Sequence, residues 1–105
     1  MTRYTTPTLS LTLPNTVDLT AASNVYVTFA NASGIVVYTK TGNDLVVTAH
    51  QVDVFLNQEE TAQFQQGTIR IQLNWTYQQG GVAKRACSEI ATVNVGQNLL
   101  NEVVE

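Results

Sequence analysis

Few residues of this chain are of types that do chemistry, and they are scattered. The sequence has one histidine, His50, and one cysteine, Cys87, and its only adjacent acidic residues are Glu59 and Glu60. Metal sites in proteins use three or four ligands at characteristic spacings, and the Asp, Glu, His and Cys residues here show no such cluster. We therefore expect no metal and no other cofactor.

Glu59 and Glu60 are the one candidate for catalysis by paired carboxylates. Neighbouring residues on a helix point about 100° apart, so the two carboxyl groups would not face each other across a glycosidic bond. They fit better in the first turn of a short helix, with Asn57 as N-cap and Glu60 completing a capping box. The sequence also lacks a Gly-x-Ser-x-Gly elbow and a glycine-rich phosphate loop. These residues predict a protein that is not an enzyme.

Aromatic side chains raise the alternative of carbohydrate binding. Trp75 lies in phase with Ile71 and Leu73, which favours packing in a core over stacking on a sugar. Tyr26 and Tyr38 are the better candidates for exposed aromatic residues that contact a partner. The alternative function is a free-standing carbohydrate-binding or adhesion module.

The charge composition points toward protein partners. Charged residues make up 12% of the 105 residues, against about 25% in an average soluble domain. Thr, Asn and Gln are frequent instead, with 15, 9 and 9 copies. A neutral polar surface repels other proteins weakly, so this module is expected to pack against other subunits, including copies of itself. Only five Lys and Arg residues and a net charge of −3 argue against nucleic-acid binding.

The ends and the hydropathy of the chain give no sign of a membrane. No apolar stretch approaches the ~20 residues that a spanning helix needs. Residues 1–7 are polar and lack the apolar segment of a secretory signal, so no signal peptide is expected. One cysteine cannot form an internal disulfide.

Alternation of apolar and polar residues predicts that strands position these side chains. Thr, Val and Ile supply 33 of the 105 residues, and Cβ branching suits a pleated sheet. The clearest strand places Ile69, Ile71, Leu73, Trp75 and Tyr77 on one face. About seven strands are predicted, and they cover residues 8–13, 25–29, 35–40, 45–48, 52–56, 69–77 and 82–95, the last with a bulge near Ser88 and Glu89.

The strand count and spacing predict an all-β fold. Seven short strands with tight turns match an antiparallel immunoglobulin-like β-sandwich, with one short helical turn within residues 57–64. The chain is thus divided into a polar lead-in at 1–7, a sandwich domain at 8–95 and a C-terminal tail at 96–105. The length allows one hydrophobic core.

The C-terminal tail is the main candidate for contact with a partner. Leu99, Leu100, Val103 and Val104 are apolar and need burial. They either fold back on the sandwich or dock on another subunit, since a partner can order a terminal segment at little cost.

Two segments resemble a known family. Residues 56–67 end a strand in a Leu-x-x-Glu-Glu-Thr turn, and a glycine then precedes the Ile-Arg-Ile-Gln-Leu run at residues 69–73. Residues 18–20 and 24–29 resemble the first half of the same pattern. The pattern is similar to small immunoglobulin-like proteins of tailed phages and prophages, including the N-terminal domain of phage baseplate upper proteins. It extends over most of residues 8–95.

The resemblance implies a structural role. Members of this family are virion or virion-assembly components without enzymatic activity. By this resemblance the chain is expected in the virion, after synthesis in the bacterial cytoplasm, with other virion subunits as partners. We expect the chain to lack the long region that follows the domain in baseplate upper proteins, so its position in the particle stays open.

Overall fold

The computed structural model describes residues 1–104 as eight strands, one α-helix and two short 3₁₀ turns. The 3₁₀ turns are Leu19–Ala21 and Gly42–Asp44. The other elements are β1 (Thr8–Thr12), β2 (Ala22–Asn31), β3 (Val36–Thr41), β4 (Leu45–Val47), β5 (Gln51–Phe55), α1 (Gln58–Ala62), β6 (Gly67–Gln79), β7 (Val82–Cys87) and β8 (Ala91–Val95).

The strands form two antiparallel sheets, which confirms the predicted all-β sandwich. The small sheet has the order β1-β5-β4, and the large sheet has the order β3-β2-β6-β7, with β8 also paired to β6. These orders correspond to strands B-E-D and C′-C-F-G of an immunoglobulin sandwich. Within residues 1–104 no strand takes the place of strand A beside β1.

Strand β6 builds the centre of the large sheet, because its side chains alternate between core and solvent. Ile69, Ile71, Leu73 and Trp75 are buried, as the sequence pattern predicted. The residues between them, including Arg70 and Asn74, face outward and are exposed or half-buried. This 13-residue strand pairs with β2 along one side and with β7 and β8 along the other.

The small sheet packs over the inner face of the large sheet and covers the core. Val52 and Val54 of β5 are fully buried. Leu9 and Leu11 of β1 alternate with exposed polar residues and are half-buried against the core. The alternation predicted for residues 8–13 is therefore confirmed, although β1 covers the core less completely than β5 does.

The predicted last strand is interrupted at Ser88, where a bulge was expected. Its first half forms β7 and its second half forms β8, and both pair with β6. At this break Ser88 makes two hydrogen bonds to the backbone of Leu73. Its N–H donates to the Leu73 carbonyl at 2.9 Å, and its Oγ accepts from the Leu73 N–H at 3.0 Å. The side chain thus satisfies a backbone donor that the interruption would otherwise leave unpaired.

Helix α1 links the two sheets at one end of the sandwich, and its N-terminus has the predicted capping box. The Asn57 side chain accepts from the Glu60 N–H at 2.8 Å, and Glu60 Oε1 accepts from the Asn57 N–H at 2.9 Å. The same carboxylate oxygen accepts from Lys40 Nζ of β3 at 2.7 Å. Lys40 also donates to the Phe55 carbonyl, so one ammonium group joins β3, β5 and α1.

Residues 1–7 are bound to the sandwich. The N-terminal ammonium group donates to the Asn94 carbonyl at 3.0 Å, and Thr2 forms a parallel bridge with Gly96. The Thr5 N–H donates to Thr61 Oγ1, and Thr61 Oγ1 donates back to the Thr5 carbonyl. These bonds explain why Thr61, a polar residue, is fully buried.

We predict that Ile71→Ala destabilises the fold by about 2–5 kcal/mol, because it removes buried methyl groups from the middle of the core. The free energy of unfolding from urea titration measures this loss. The control is Arg70→Ala on the exposed face of the same strand, which should change stability by no more than about 0.5 kcal/mol. Equal losses for the two variants would contradict the assignment of the faces of β6.

Candidate partner-binding surface

Within the C-terminal tail (96–105), residues 97–104 are mostly exposed and form no helix or strand. The side chain of Leu99 is 92% exposed, and those of Leu100, Val103 and Val104 are about half exposed. The four apolar residues predicted to contact a partner therefore stand at the surface. Glu105, the last residue of the predicted tail, lies outside the described residues.

Polar contacts hold the tail against the domain. The Val104 N–H donates to Gln58 Oε1 of α1 at 2.8 Å, and the Gln58 amide group donates back to the Val104 carbonyl. Asn98 Nδ2 donates to the Arg3 carbonyl at 3.0 Å. The tail thus folds back on the domain, which is one of the two expected arrangements. Its four apolar side chains nevertheless stay exposed instead of being buried by this contact. The role of Gln58 was not foreseen, because nothing local in the sequence relates it to a residue 46 positions away.

The prediction that Tyr38 is an exposed aromatic residue is wrong. Tyr38 is paired in register with Phe29, so its ring points inward. It lies 5.0 Å from the Phe29 ring and 5.4 Å from the Phe64 ring, measured between centroids. Burial, together with the nearby carboxylate of Glu60, raises the pKa of its hydroxyl group, and this hydroxyl has no hydrogen-bond partner. Tyr38 therefore contributes to the core.

Tyr26 lies on the outer face of the large sheet and remains half-exposed. Its register partners are Thr41 on β3 and Asn74 on β6, both polar. The Asn74 side-chain oxygen accepts two hydrogen bonds from the Arg85 guanidinium group, at 3.2 and 3.0 Å. A shallow cleft of about 330 Å³ opens beside Tyr26, between Thr28 and Arg85. This face offers the Tyr26 ring among amide and hydroxyl groups and the Arg85 guanidinium group.

The other singled-out residues have ordinary structural positions. Trp75 is 8% exposed, which confirms its predicted place in the core. His50 Nδ1 lies 2.5 Å from the Val17 carbonyl oxygen, so this half-buried histidine ties a loop to the small sheet. Cys87 is exposed, because it faces outward opposite Asn74.

A larger cleft, of about 640 Å³, lies between the two sheets on the side of β1. Residues 10–14 form one wall and residues 87–91 form the other. Buried residues of β6 form its floor, including Leu73 and Trp75. This cleft was not predicted, because it depends on which strands are neighbours.

Comparisons with known proteins do not assign a relative. A scan of protein-family models, a search of curated proteins and a search of solved structures each find no match. Among residues 1–104, no three His, Cys, Asp or Glu side chains lie close enough together to hold a metal ion. The same residues contain no helix with the length and apolar character needed to cross a membrane.

We predict that Gln58→Ala frees the tail, because it removes both hydrogen bonds to Val104. The ¹H–¹⁵N heteronuclear NOE of Val104 should fall toward the value of a flexible terminus. The free energy of unfolding should change by less than about 0.5 kcal/mol, since the site is at the surface. In the control Gln66→Ala, which changes an exposed glutamine that does not contact the tail, the NOE of Val104 should stay as in the original chain. An unchanged NOE in Gln58→Ala would show that other contacts hold the tail.

Proposed function

We propose that this protein is a non-enzymatic structural component of a tailed phage or prophage, which acts in virion assembly through contacts with other subunits. The observation that carries the proposal is the tail, whose four apolar side chains are exposed while its backbone is held by a few polar contacts. Exchanging those contacts for a partner's apolar surface would bury the side chains at little cost in ordering.

Two further features support this proposal. The surface is poor in charge, with 12% charged residues in the whole chain, so close packing of subunits meets little electrostatic repulsion. The resemblance of residues 56–73 to phage immunoglobulin-like proteins supplies the biological setting. The expected location is the virion, assembled from protein made in the bacterial cytoplasm.

Particle composition tests this proposal. Virions and assembly intermediates would be purified from a strain that carries the gene and analysed by quantitative mass spectrometry. We expect the chain at a defined copy number per particle. Its absence from complete virions and from every assembly intermediate would overturn the proposal.

A variant of the tail tests whether its exposed apolar side chains make the contact with other subunits. Leu99→Ser combined with Val103→Ser should lower the copy number per particle at least tenfold, because the docked apolar surface is lost. The control is Val82→Ser, which changes an apolar side chain of similar exposure on β7 and should leave the copy number unchanged. Equal incorporation of both variants would exclude the tail as the contact.

Carbohydrate binding is the second candidate function, and the exposure of Tyr26 favours it. Of the three aromatic residues considered, Tyr26 alone lies on the outer face of the large sheet, because Trp75 is buried in the core and Tyr38 packs against it. A glycan array probed with the original chain and with Tyr26→Ala decides this point. Binding that disappears in Tyr26→Ala would support a sugar site on this face, and an array without hits would remove it.

A further inference from the structure

The small sheet ends at β1, where an immunoglobulin sandwich continues. In the four-stranded sheet of that fold, strand A lies beside strand B. Here β1 takes the place of strand B, and β5 is its only neighbour within residues 1–104. The chain segment before β1 does not fill the gap, because residues 1–3 run along the end of β8 instead. Among residues 1–104, the place of one strand is therefore open.

The free edge of β1 presents backbone groups in the pattern that a further strand requires. The Leu13 N–H donates to the His50 carbonyl, and the Leu56 N–H donates to the Pro7 carbonyl. These two bonds fix the alternation, so every second residue from 7 to 13 bonds to β5. The N–H and C=O groups of Thr8, Ser10 and Thr12 consequently point away from β5, with a spacing of about 6.8 Å.

The cleft beside this edge offers an apolar floor. The buried side chains of Ile71, Leu73 and Trp75 reach its surface, although each is at most 8% exposed. Leu11, in the wall formed by β1, is only half-buried. A strand placed next to β1 would direct every second side chain onto this floor and complete the cover of the core.

Between Pro7 and Pro14, the edge has few of the features that keep strands from pairing. Natural edge strands are protected by charged side chains, by proline or by a bulge. Residues 8–12 read Thr-Leu-Ser-Leu-Thr, without charge or proline. Their pairing with β5 is regular over all five residues.

The charges around the cleft indicate what kind of strand fits. Glu89 is the one charged residue in its lining, and Asp53 lies one strand away, where it accepts a hydrogen bond from Ser10 Oγ at 2.7 Å. The hydrogen bonds from Ser10 and Gln51 lower the pKa of Asp53, so its carboxylate is ionised at neutral pH. An incoming strand with basic residues complements both acids, whereas the tail of a second copy carries acidic residues itself.

We propose that the cleft between β1 and residues 87–91 binds an extended segment of a partner protein, which adds a strand to the small sheet. Its alternate apolar side chains would lie on Ile71, Leu73 and Trp75, and basic residues would face outward near Asp53 and Glu89. This site is separate from the tail and does not depend on the virion assignment.

A peptide titration tests this site on the full chain. The probe is the blocked peptide Lys-Val-Thr-Val-Lys-Val-Thr, added to ¹⁵N-labelled protein and followed by NMR. We expect saturable shifts confined to residues 8–14, 71–75 and 87–91. No saturation at millimolar peptide, or shifts centred on another surface, would overturn the proposal.

Two competing peptides test the chemistry of the partner. The peptide Glu-Val-Thr-Val-Glu-Val-Thr should bind at least threefold more weakly than the basic probe. A peptide of residues 97–104 represents the tail of a second copy and should also bind more weakly. Tighter binding of either acidic peptide would overturn the proposed basic partner.

Two variants test the geometry. Ser10→Pro removes an N–H that points away from β5, so it should weaken the probe at least tenfold without breaking the ladder to β5. Glu89→Lys changes an exposed side chain and should weaken the probe about 2–5-fold, which provides a test even if Ser10→Pro fails to fold. Glu59→Lys on α1 makes the same change of net charge and should have no effect. Equal effects of Glu89→Lys and Glu59→Lys would show that only the overall charge acts.

Discussion

The alternation of side chains along β6 is the constraint on which the rest of the molecule depends. One face of this strand supplies four buried residues, and both of its edges are paired, to β2 and to β7 and β8. A shift of one residue would exchange the core face with the polar face over its whole length. The small sheet shares no strand with the large sheet. It is held by packing on the inner face and by the contacts of α1 and Lys40 at one end.

These contacts explain why the two sheets are joined at one end of the sandwich and are separated by a cleft along the side of β1. At the α1 end, the capping box, the Lys40–Glu60 ion pair and the Thr5–Thr61 bonds fasten both sheets and the start of the chain. Along the side of β1 no comparable fastening exists among the described residues, and the core is reached through a cleft. The two proposed contact surfaces, the tail and this cleft, both offer apolar side chains. The cleft adds the unpaired backbone groups of β1 and the carboxylate of Glu89.

Features with a local physical cause could be predicted from the sequence. The faces of β6, the capping box at Asn57 and the burial of Trp75 follow from periodicity and from short-range hydrogen bonding. The break at Ser88 was also visible, as a change of phase between two halves of one predicted strand.

Features that depend on distant neighbours could not be predicted. Residues 35–38 are all apolar, so the sequence does not show which of their side chains face the core. The pairing of β3 with β2 places the Tyr38 ring on the inner face, beside Phe29. The cleft requires the pairing of β1 with β5, which brings together residues 43 positions apart, as in the Ser10–Asp53 contact. The apolar composition of the tail was clear, but its attachment to Gln58 was not.

Hydrogen exchange of the β1 amides in the isolated chain tests the open edge of the sandwich most directly. We expect alternate protection: the amides of Leu9, Leu11 and Leu13 exchange slowly, because they bond to β5, and those of Thr8, Ser10 and Thr12 exchange at rates close to those of an unstructured chain. Slow exchange of all six amides would show that this edge is already paired. It would contradict the claim that the outer edge of β1 is unpaired.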